Sequence, residues 1–404
     1  YTIDGIKIGK EIGLGGRINT ILQSAFFTIA NIIPKDDAIK YMKDAATKSY
    51  SKKGQAIVDM NHAAIERGAT DFVKVEVPAS WADAEGELEK VVSTNGKPEV
   101  LEYVNTILHP VNAYKGNQLP VSAFKNHIDG TAPQGTAAYE KRGIAVDVPS
   151  WNSENCIQCN FCSYVCPHAA IRPVAMTADE AAAAPAATKK APMMAMPGMT
   201  FTMTVSTLDC TGCGSCAQVC PGKKGNKALE MKPADGEMDQ QEVFAYGLDL
   251  PVKPDVAAKF KETTVKGSQF KQPLLEFSGA CAGCGETPYA KLATQLFGDR
   301  MFIANATGCS SIWGASAPAT PYTVNKEGRG PAWHNSLFED NAEFGYGMVL
   351  GQNAIRDRLA DYVKEISEKT SKEDVKSACE EYLSTITNSG ENKIAAQALI
   401  EKLE

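Results

Sequence analysis

Apolar residues fall at helical spacing through much of the first part of the chain. Ile18, Ile21, Leu22 and Ala25 follow the turn signal Gly13-Leu14-Gly15-Gly16. Between Asp37 and Arg67, Ala38, Met42 and Ala45, then Ile57, Met60, Ala64 and Ile65, mark long helical stretches, with Pro34 suited to the entry and Gly68 to the exit. Residues 71–77 alternate with period two, which predicts a strand or an extended exit segment. From about 85 to 150 the periodicity weakens and turns fall at Asn95-Gly96 and Gly116-Asn117, yet Val100, Leu101, Val104, Ile107 and Leu108 still share a helical face. A stretch from Ala178 to Gly198, rich in Ala, Pro and Met, offers little core-forming surface and reads as an exposed insertion. Its methionines at 193, 194, 196 and 199 fit packing contacts or a tolerated loop better than a soft-metal site. Beyond residue 251 a Pro-rich extended start leads to a predicted strand over Arg300–Asn305, flanked by helical patterns. A Gly-containing helix follows near Phe344–Leu359, then a charged helical end. Strand alternating with helix argues for an α/β domain there.

With 404 residues the chain has room for two to four domains. A hydrophobic content of 44 %, a charged content of 22 % and a net charge of −7 describe a mildly acidic globular protein with no general basic face for nucleic acid. No run approaches the roughly 18 apolar residues a bilayer span requires. The chain begins at Tyr1 inside sequence that already looks structured, so a piece of a larger polypeptide is expected.

The cysteines change the picture most. Cys156-Ile-Gln-Cys159-Asn-Phe-Cys162-Ser-Tyr-Val-Cys166-Pro167 and Cys210-Thr-Gly-Cys213-Gly-Ser-Cys216-Ala-Gln-Val-Cys220-Pro221 are two complete C-x2-C-x2-C-x3-C-P runs. A cubane presents four irons on one compact body, so three thiolates come from a tight loop and the fourth from elsewhere. In the paired arrangement the last cysteine of each run serves the other cluster. That rule assigns Cys156, Cys159, Cys162 and Cys220 to one [4Fe–4S] cluster, and Cys166, Cys210, Cys213 and Cys216 to the second. Zinc is the competing reading, but it does not require this exchanged, proline-closed pattern twice. With eight of the twelve cysteines in cluster spacing, and no apolar leader before them, reduced ligands in a cytoplasm are expected rather than a disulfide framework.

Cys281-Ala-Gly-Cys284-Gly-Glu286 is a third C-x2-C, and Cys309 follows in Ala306-Thr-Gly-Cys309-Ser-Ser. Three thiolates make an incomplete cubane, so a third cluster needs one more ligand. A thioredoxin-like redox pair is the alternative, although the small residues around both sites favour close backbone approach to a cluster or cofactor. Cys379, in a charged helical setting, reads as an ordinary thiol.

These residues resemble the pyruvate:ferredoxin oxidoreductase family along nearly the whole chain. Gly-Leu-Gly-Gly-Arg17-Ile-Asn19-Thr20 is similar to its third domain, and Tyr139-Glu140-Lys141-Arg142-Gly143 to its small Glu-Lys-Arg domain. The paired runs, through Pro167-His168-Ala169-Ala170-Ile171-Arg172-Pro173, resemble its ferredoxin-like domain. Gly279–Tyr289, Ala306–Gly314 and Gly330–Gly345 resemble the start of its thiamine-diphosphate domain. The resemblance implies an α/β multidomain chain. Residues 1–85 would be the end of an α/β domain, 86–150 a small connecting domain, 151–250 a two-cluster ferredoxin-like α+β domain, and 251–404 the start of an α/β thiamine-diphosphate-binding domain. It implies oxidative decarboxylation of pyruvate to acetyl-CoA through three [4Fe–4S] clusters, in the cytoplasm of a cell with anaerobic metabolism. Ferredoxin or flavodoxin would accept the electrons, and the enzyme would be a homodimer. Cys281, Cys284 and Cys309 would ligate the third cluster, with a fourth ligand beyond Glu404. Glu286 and Cys309 would lie near thiamine diphosphate and its Mg2+, and Asn19 and Asn61 near coenzyme A. For both asparagines a cap or turn role competes. The family's N-terminal thiamine domain and its Gly-Asp-Gly segment have no counterpart here, so these residues alone are expected to conduct electrons but not complete turnover. A non-enzymatic electron-transfer module, or an oxidoreductase for another 2-oxoacid such as 2-oxoglutarate or an aryl pyruvate, remains open.

Overall fold

The computed structural model describes residues 1–84, 91–315, 319–336, 338 and 340–404. The chain divides into two compact units, 1–89 and 90–404.

The regular elements described in the first unit are helices. Helices α1 (Gly5–Glu11), α2 (Asn19–Ala30), α3 (Lys35–Tyr50) and α4 (Gln55–Gly68) bury Ile8, Ile21 and Ala64 together. Asp4 caps α1 by accepting from the Lys7 amide at 2.9 Å, and Asp36 and Asp37 sit in the first turn of α3, where the helix dipole favours them. Gly68 is required by packing, since a Cβ there would stand 2.3 Å from the Ile21 carbonyl oxygen on α2. Of the two readings for 71–77, the extended exit segment is the one that forms, held by one antiparallel bridge, Thr2 to Val73. Val73, Val75 and Val77 stay exposed, because an alternating pattern makes a strand only where a neighbour pairs with it.

The second unit begins with α5 (Pro98–Tyr103), a π turn over Val104–Leu108, and α6 (His109–Asn112). Pro110 explains the wide turn: it lacks the amide that would pair with Thr106 and its ring displaces that carbonyl. The predicted apolar face is real. Tyr103, Val104, Ile107 and Leu108 pack with Ala137, Phe244, Phe277 and Ala319.

Next come β1 (Asp147–Trp151), α7 (Phe161–Val165), β2 (Ile171–Met176), α8 (Ala178–Ala183), β3 (Ala191–Pro192), β4 (Thr200–Val205), α9 (Ser215–Val219), β5 (Leu229–Pro233) and α10 (Gln240–Asp249). β1 pairs antiparallel with β5, Asp147 opposite Pro233, and β2 with β4, Ile171 opposite Val205. The β4 sequence Thr-Phe-Thr-Met-Thr-Val alternates, sending Phe201, Met203 and Val205 into the main core. Thr202 and Thr204 on its other face are buried too. Gly247 of α10 lies so close there that a Cβ would stand 2.9 Å from Val174 and 3.3 Å from Thr204.

The 178–198 segment is mostly exposed, as expected, but it is also folded onto its neighbours. Thr177 and Glu180 form a reciprocal capping box on α8, β3 pairs with β4, and Met193 is buried in the core with Met196 and Met199 packed against it. The segment gains a core by borrowing that of its neighbours, which its own composition does not reveal.

After α11 (Pro254–Lys259) and α12 (Val265–Ser268) follow α13 (Thr287–Phe297), β6 (Phe302–Ala306), α14 (Cys309–Ala315) and β7 (Ala332–Ser336). β6 and β7 are parallel, Phe302 opposite Ala332, so the predicted strand lies within about two residues of its expected place. The 29-residue α15 (Asn341–Lys369), α16 (Glu373–Thr385) and α17 (Ser389–Leu403) close around Val363, Val375, Cys379, Tyr382, Ala395 and Leu399. Cys379 is thus a core side chain of a helical cluster.

Candidate iron–sulfur site

The two cysteine runs adopt the same backbone. Gln158 (φ 53°) and Gly212 (φ 68°) hold the left-handed position before the second cysteine of each run, and Asn160 (φ 62°) and Gly214 (φ 77°) the one after it. Each loop then enters a single-turn helix, α7 or α9, carrying its third cysteine. The amides of Gln158 and Gly212 turn inward and donate to the first sulfur of their own run, Cys156 at 3.3 Å and Cys210 at 3.4 Å. The Ala228 amide donates to Cys220 at 3.3 Å. Such N–H···S bonds stabilise sulfur carrying negative charge.

The eight thiols line two cavities, and membership follows space rather than sequence. One is lined by Cys156, Cys159, Cys162 and Cys220, with Trp151, Asn160 and Met203. The other is lined by Cys166, Cys210, Cys213 and Cys216, with His168 and Thr211. Burial pushes the thiols of Cys156 and Cys162 up, Cys162 strongly, and that of Cys210 up to about 12, with neighbouring cysteines adding to the rise. Buried thiols this reluctant to ionise are what a metal reverses, since coordination deprotonates them. Among the described residues no three Cys, His, Asp or Glu side chains converge to hold a single metal ion. Sulfurs around one zinc would lie about 3.8 Å apart, whereas a cubane sets its ligands on the corners of a larger body. Thr211 Oγ1, buried without a protein partner on the second cavity's wall, suits an acceptor lodged there. The donor sets fit [4Fe–4S] clusters.

Around the second cavity the chain is bolted together by charge. Lys141 pairs with Asp209, beside Cys210, at 2.5 Å, and its ammonium lies 4.8 Å from the Phe277 ring. Arg142 pairs with Glu140 and donates to the Ser278 carbonyl at 3.2 Å. The buried Arg172 pairs with Glu276 and donates to the Ala169 carbonyl at 2.7 Å. His168 donates through Nδ1 to the Ser278 carbonyl at 3.1 Å, and burial pushes its pKa down. Lys291 of α13 reaches the end of α7, where its Nζ donates to the carbonyls of Ser163, Tyr164 (3.2 Å) and Cys166 (3.0 Å). Burial draws this ammonium down to about 8, Arg172 pushing the same way and the thiols of Cys166 and Cys162 opposing.

The third loop repeats half of the motif. Gly283 (φ 73°) holds the left-handed position before Cys284, as Gly212 does before Cys213, and the Glu286 amide donates to Cys284 Sγ at 3.4 Å. A Cβ on Gly283 would lie 3.6 Å from Cys213 Cβ and 3.8 Å from Ser215 Oγ, so this loop sits directly against the Cys210 run. Cys309 opens α14, and Trp313 of that helix donates its indole N–H to Glu286 at 3.2 Å, tying the Cys281–Cys284 loop to the helix bearing Cys309. Cys281 and Cys309 are exposed. In the first unit, Asn19 is the exposed first residue of α2 and makes no cap bond. Asn61 is buried and donates to the Ile57 carbonyl of its own helix at 2.8 Å. The cap or turn role weighed for both therefore describes neither.

Sequence reasoning passed over Lys291, Gln158, Asn160 and Asp209. For Lys291 a signal existed: Thr287, Lys291, Thr294 and Gln295 fall at i, i+4, i+7 and i+8, one helical face, and it is this polar face of α13 that is buried.

Two four-cysteine cavities, built on paired antiparallel strands with a short helix after each loop, define an iron–sulfur electron-transfer protein of the dicluster ferredoxin type. The 4Fe-4S dicluster domain matches residues 155–224, and the EKR domain, a domain of unknown function, matches 85–145. The chain is 56 % identical over 385 residues to the pyruvate:ferredoxin oxidoreductase of Moorella thermoacetica, covering 95 % of this chain and 32 % of that one. It is 54 % identical over 364 residues to the pyruvate-flavodoxin oxidoreductase of Enterobacter agglomerans (90 % and 30 %). Over 390 residues it is 48 % identical to the pyruvate dehydrogenase [NADP(+)] of Cryptosporidium parvum (90 % and 20 %). The chain is similar to pyruvate:ferredoxin (flavodoxin) oxidoreductases over at least nine-tenths of its own length, and it spans about a third of the length of the first two relatives. Among the described residues no helix is long and apolar enough to cross a membrane.

Proposed function

We propose that these residues form the electron-conducting centre of an enzyme that oxidatively decarboxylates pyruvate to acetyl-CoA and CO2 and delivers the electrons to ferredoxin or flavodoxin. The observation that carries it is the third cysteine loop lying against Cys213 in a chain 56 % identical to a pyruvate:ferredoxin oxidoreductase. It sets a third sulfur site beside the dicluster pair, where electrons from a cofactor would enter. Cys156, Cys159, Cys162 and Cys220 would hold one cluster, Cys166, Cys210, Cys213 and Cys216 the second, and Cys281, Cys284 and Cys309 three corners of the third.

Thiamine diphosphate, with Mg2+, supplies the carbanion chemistry of decarboxylation when bound. Glu286, fixed by Trp313, and Cys309 are the residues of this chain that would face it. Asn19, exposed on α2, is the better placed of the two asparagines for coenzyme A, while Asn61 would act by fixing α4. The layout that follows is the end of an α/β domain (1–85), a connecting domain (86–150), the cluster domain (151–250) and the start of a thiamine-diphosphate domain (251–404). The remaining regions of the enzyme would complete the site, in a homodimer, and clusters held by thiolates suit a reducing cytoplasm.

The test is electron paramagnetic resonance of the anaerobically purified protein containing these residues, after adding pyruvate with and without coenzyme A. Parallel samples receive 2-oxoglutarate and phenylpyruvate. Cluster reduction by pyruvate, faster with coenzyme A, is expected. Reduction only by another oxoacid would move the substrate. Silence with all of them, while dithionite still reduces the clusters, would leave an electron-transfer module, and zinc without acid-labile sulfide would sink the cluster reading itself.

A further inference from the structure

Lys291 is the most deeply buried cation near the cluster cavities, 2 % exposed on α13. Its Nζ is shared among the carbonyls of Ser163, Tyr164 and Cys166. Carbonyl oxygens only accept, so three such bonds need three N–H donors. A neutral amine has two, and the geometry therefore specifies the ammonium form. Among the described residues no carboxylate pairs with it, whereas the neighbouring buried cation, Arg172, has Glu276.

A buried charge without a counter-ion is expensive, and carbonyl dipoles at the end of α7 meet only part of the cost. The nearest groups that become anionic on cluster binding are Cys166 and Cys162, on the same short segment as the accepting carbonyls. A [4Fe–4S] cluster with four thiolates is a net anion and becomes more negative by one unit when one electron enters it.

We infer that Lys291 is the built-in counter-charge of the cluster held through Cys166, raising that cluster's reduction potential while fixing the segment that presents Cys166 to it. This rests on the cluster assignment proposed above. Because the Cys281 loop lies against Cys213 of the same cavity, the ammonium favours electron arrival at the cluster next to the third site. Lys291 is a positioning and tuning residue here, since it touches carbonyls rather than the reacting atoms.

The test is a potentiometric titration, followed by electron paramagnetic resonance, of the full-length holo-protein and of Lys291→Met and Lys291→Arg. Iron and acid-labile sulfide are counted in each. In Lys291→Met the cluster of the Cys166 cavity should show at least a tenfold fall in its reduced-to-oxidised ratio at fixed potential, about 59 mV for a one-electron couple. The other cluster should move less, and Lys291→Arg should stay close to wild type. If Lys291→Met fails to assemble that cluster while Lys291→Arg assembles it at the wild-type potential, the charge role stands. A fully loaded Lys291→Met with unchanged midpoints would overturn it, as would equal shifts or equal cluster loss in both variants. Absence of [4Fe–4S] signals from the wild type would instead refute the cluster assignment.

Discussion

Cys166→Ala separates ligation by space from ligation by sequence. Cys166 belongs to the first run, yet it lines the cavity of Cys210, Cys213 and Cys216 and is absent from the wall of the other. The substitution deletes one partly buried sulfur and keeps the backbone through which Cys166 accepts from Lys291 at 3.0 Å and donates to Ser163 at 3.3 Å. Losing a methylene-sized group there costs on the order of 1 kcal/mol, small beside the roughly 5–15 kcal/mol that holds a domain folded. The fold should survive, and any loss of iron then reports ligation. The cavity keeps three of its four thiols, so between about one and four irons should leave, from a cubane opened at one corner to one lost altogether. The assay is iron and sulfide analysis with electron paramagnetic resonance of the dithionite-reduced protein, beside Cys159→Ala and Cys213→Ala. The Cys166→Ala spectrum should match that of Cys213→Ala. A match to Cys159→Ala would show that each run serves its own cluster and refute the reasoning.

Three further outcomes are expected. Gly222→Ala places a Cβ 1.7 Å from the Asn226 carbonyl oxygen in a residue at φ 59°, so left-handed strain of about 1–3 kcal/mol plus that clash should lower the melting temperature and deplete the cluster that uses Cys220; an unchanged melting curve would contradict this. Lys141→Met leaves the Asp209 carboxylate, 3 % exposed, with Ser206 Oγ as its remaining donor at 2.6 Å. The cost should be about 2–4 kcal/mol in chemical denaturation, discounted because Lys141 is about a third exposed, and adding Asp209→Asn should recover part of it. His109, with Nε2 2.9 Å from Ser93 Oγ, has its pKa lowered by burial. The unfolded chain therefore binds the proton more readily than the folded one, and stability around α5 and α6 should fall as pH drops below about 6.5. Hydrogen exchange of that segment at pH 7.5 and 5.5 should show a loss of protection that His109→Gln lacks.

The elements that bury their own apolar face were legible. Val100, Val104, Ile107 and Leu108 announce their helix because period and burial agree there, while Phe302–Ala306 shows as a short apolar run although none of its residues is fully buried. The cysteine spacing is legible for a different reason: cubane geometry fixes which residues a loop needs, whatever the fold around it. What sequence hid depends on partners distant along the chain. Val73, Val75 and Val77 alternate like a strand but find one bridge only. The 178–198 segment looks coreless because its methionines fill a core made by others. On α13 the usual inference runs backwards, since Lys291, Thr294 and Gln295 face inward while Tyr289 and Phe297 are exposed. Gln295 donates to the Lys271 carbonyl and accepts from Gln269, and Gln269 accepts from Ser163 of α7. A buried polar network of this kind is stable only when every member is satisfied, and that cannot be seen until the three segments are side by side.

The two runs share one backbone but not one setting, and the difference lies in the left-handed positions. The second run has Gly212 and Gly214 there, which adopt positive φ without strain. The first run has Gln158 and Asn160, which pay of order 1 kcal/mol each for it. Their side chains return that cost. Gln158 donates to the Pro192 carbonyl at 2.9 Å and accepts from the Met194 amide at 2.8 Å, clamping the 178–198 segment over the loop. Asn160 donates to the Lys266 carbonyl of α12 at 3.0 Å. Both side chains are buried, whereas Cys213 in the second run is exposed and Gly214 meets nothing within 4 Å of where a Cβ would stand. One loop is wrapped by its own domain, and the other is left open on the side where Gly283 of the third cysteine loop approaches Cys213. Side chains therefore close over the first loop, whereas in the second a Cβ on Gly212 would press on the Asp147 carbonyl oxygen at 3.0 Å, and Gly214 has open space around it. The difference between the two cavities, one loop covered and the other open beside Cys213, thus rests on Gln158 and Asn160, whose buried side chains tie the first loop to its neighbours.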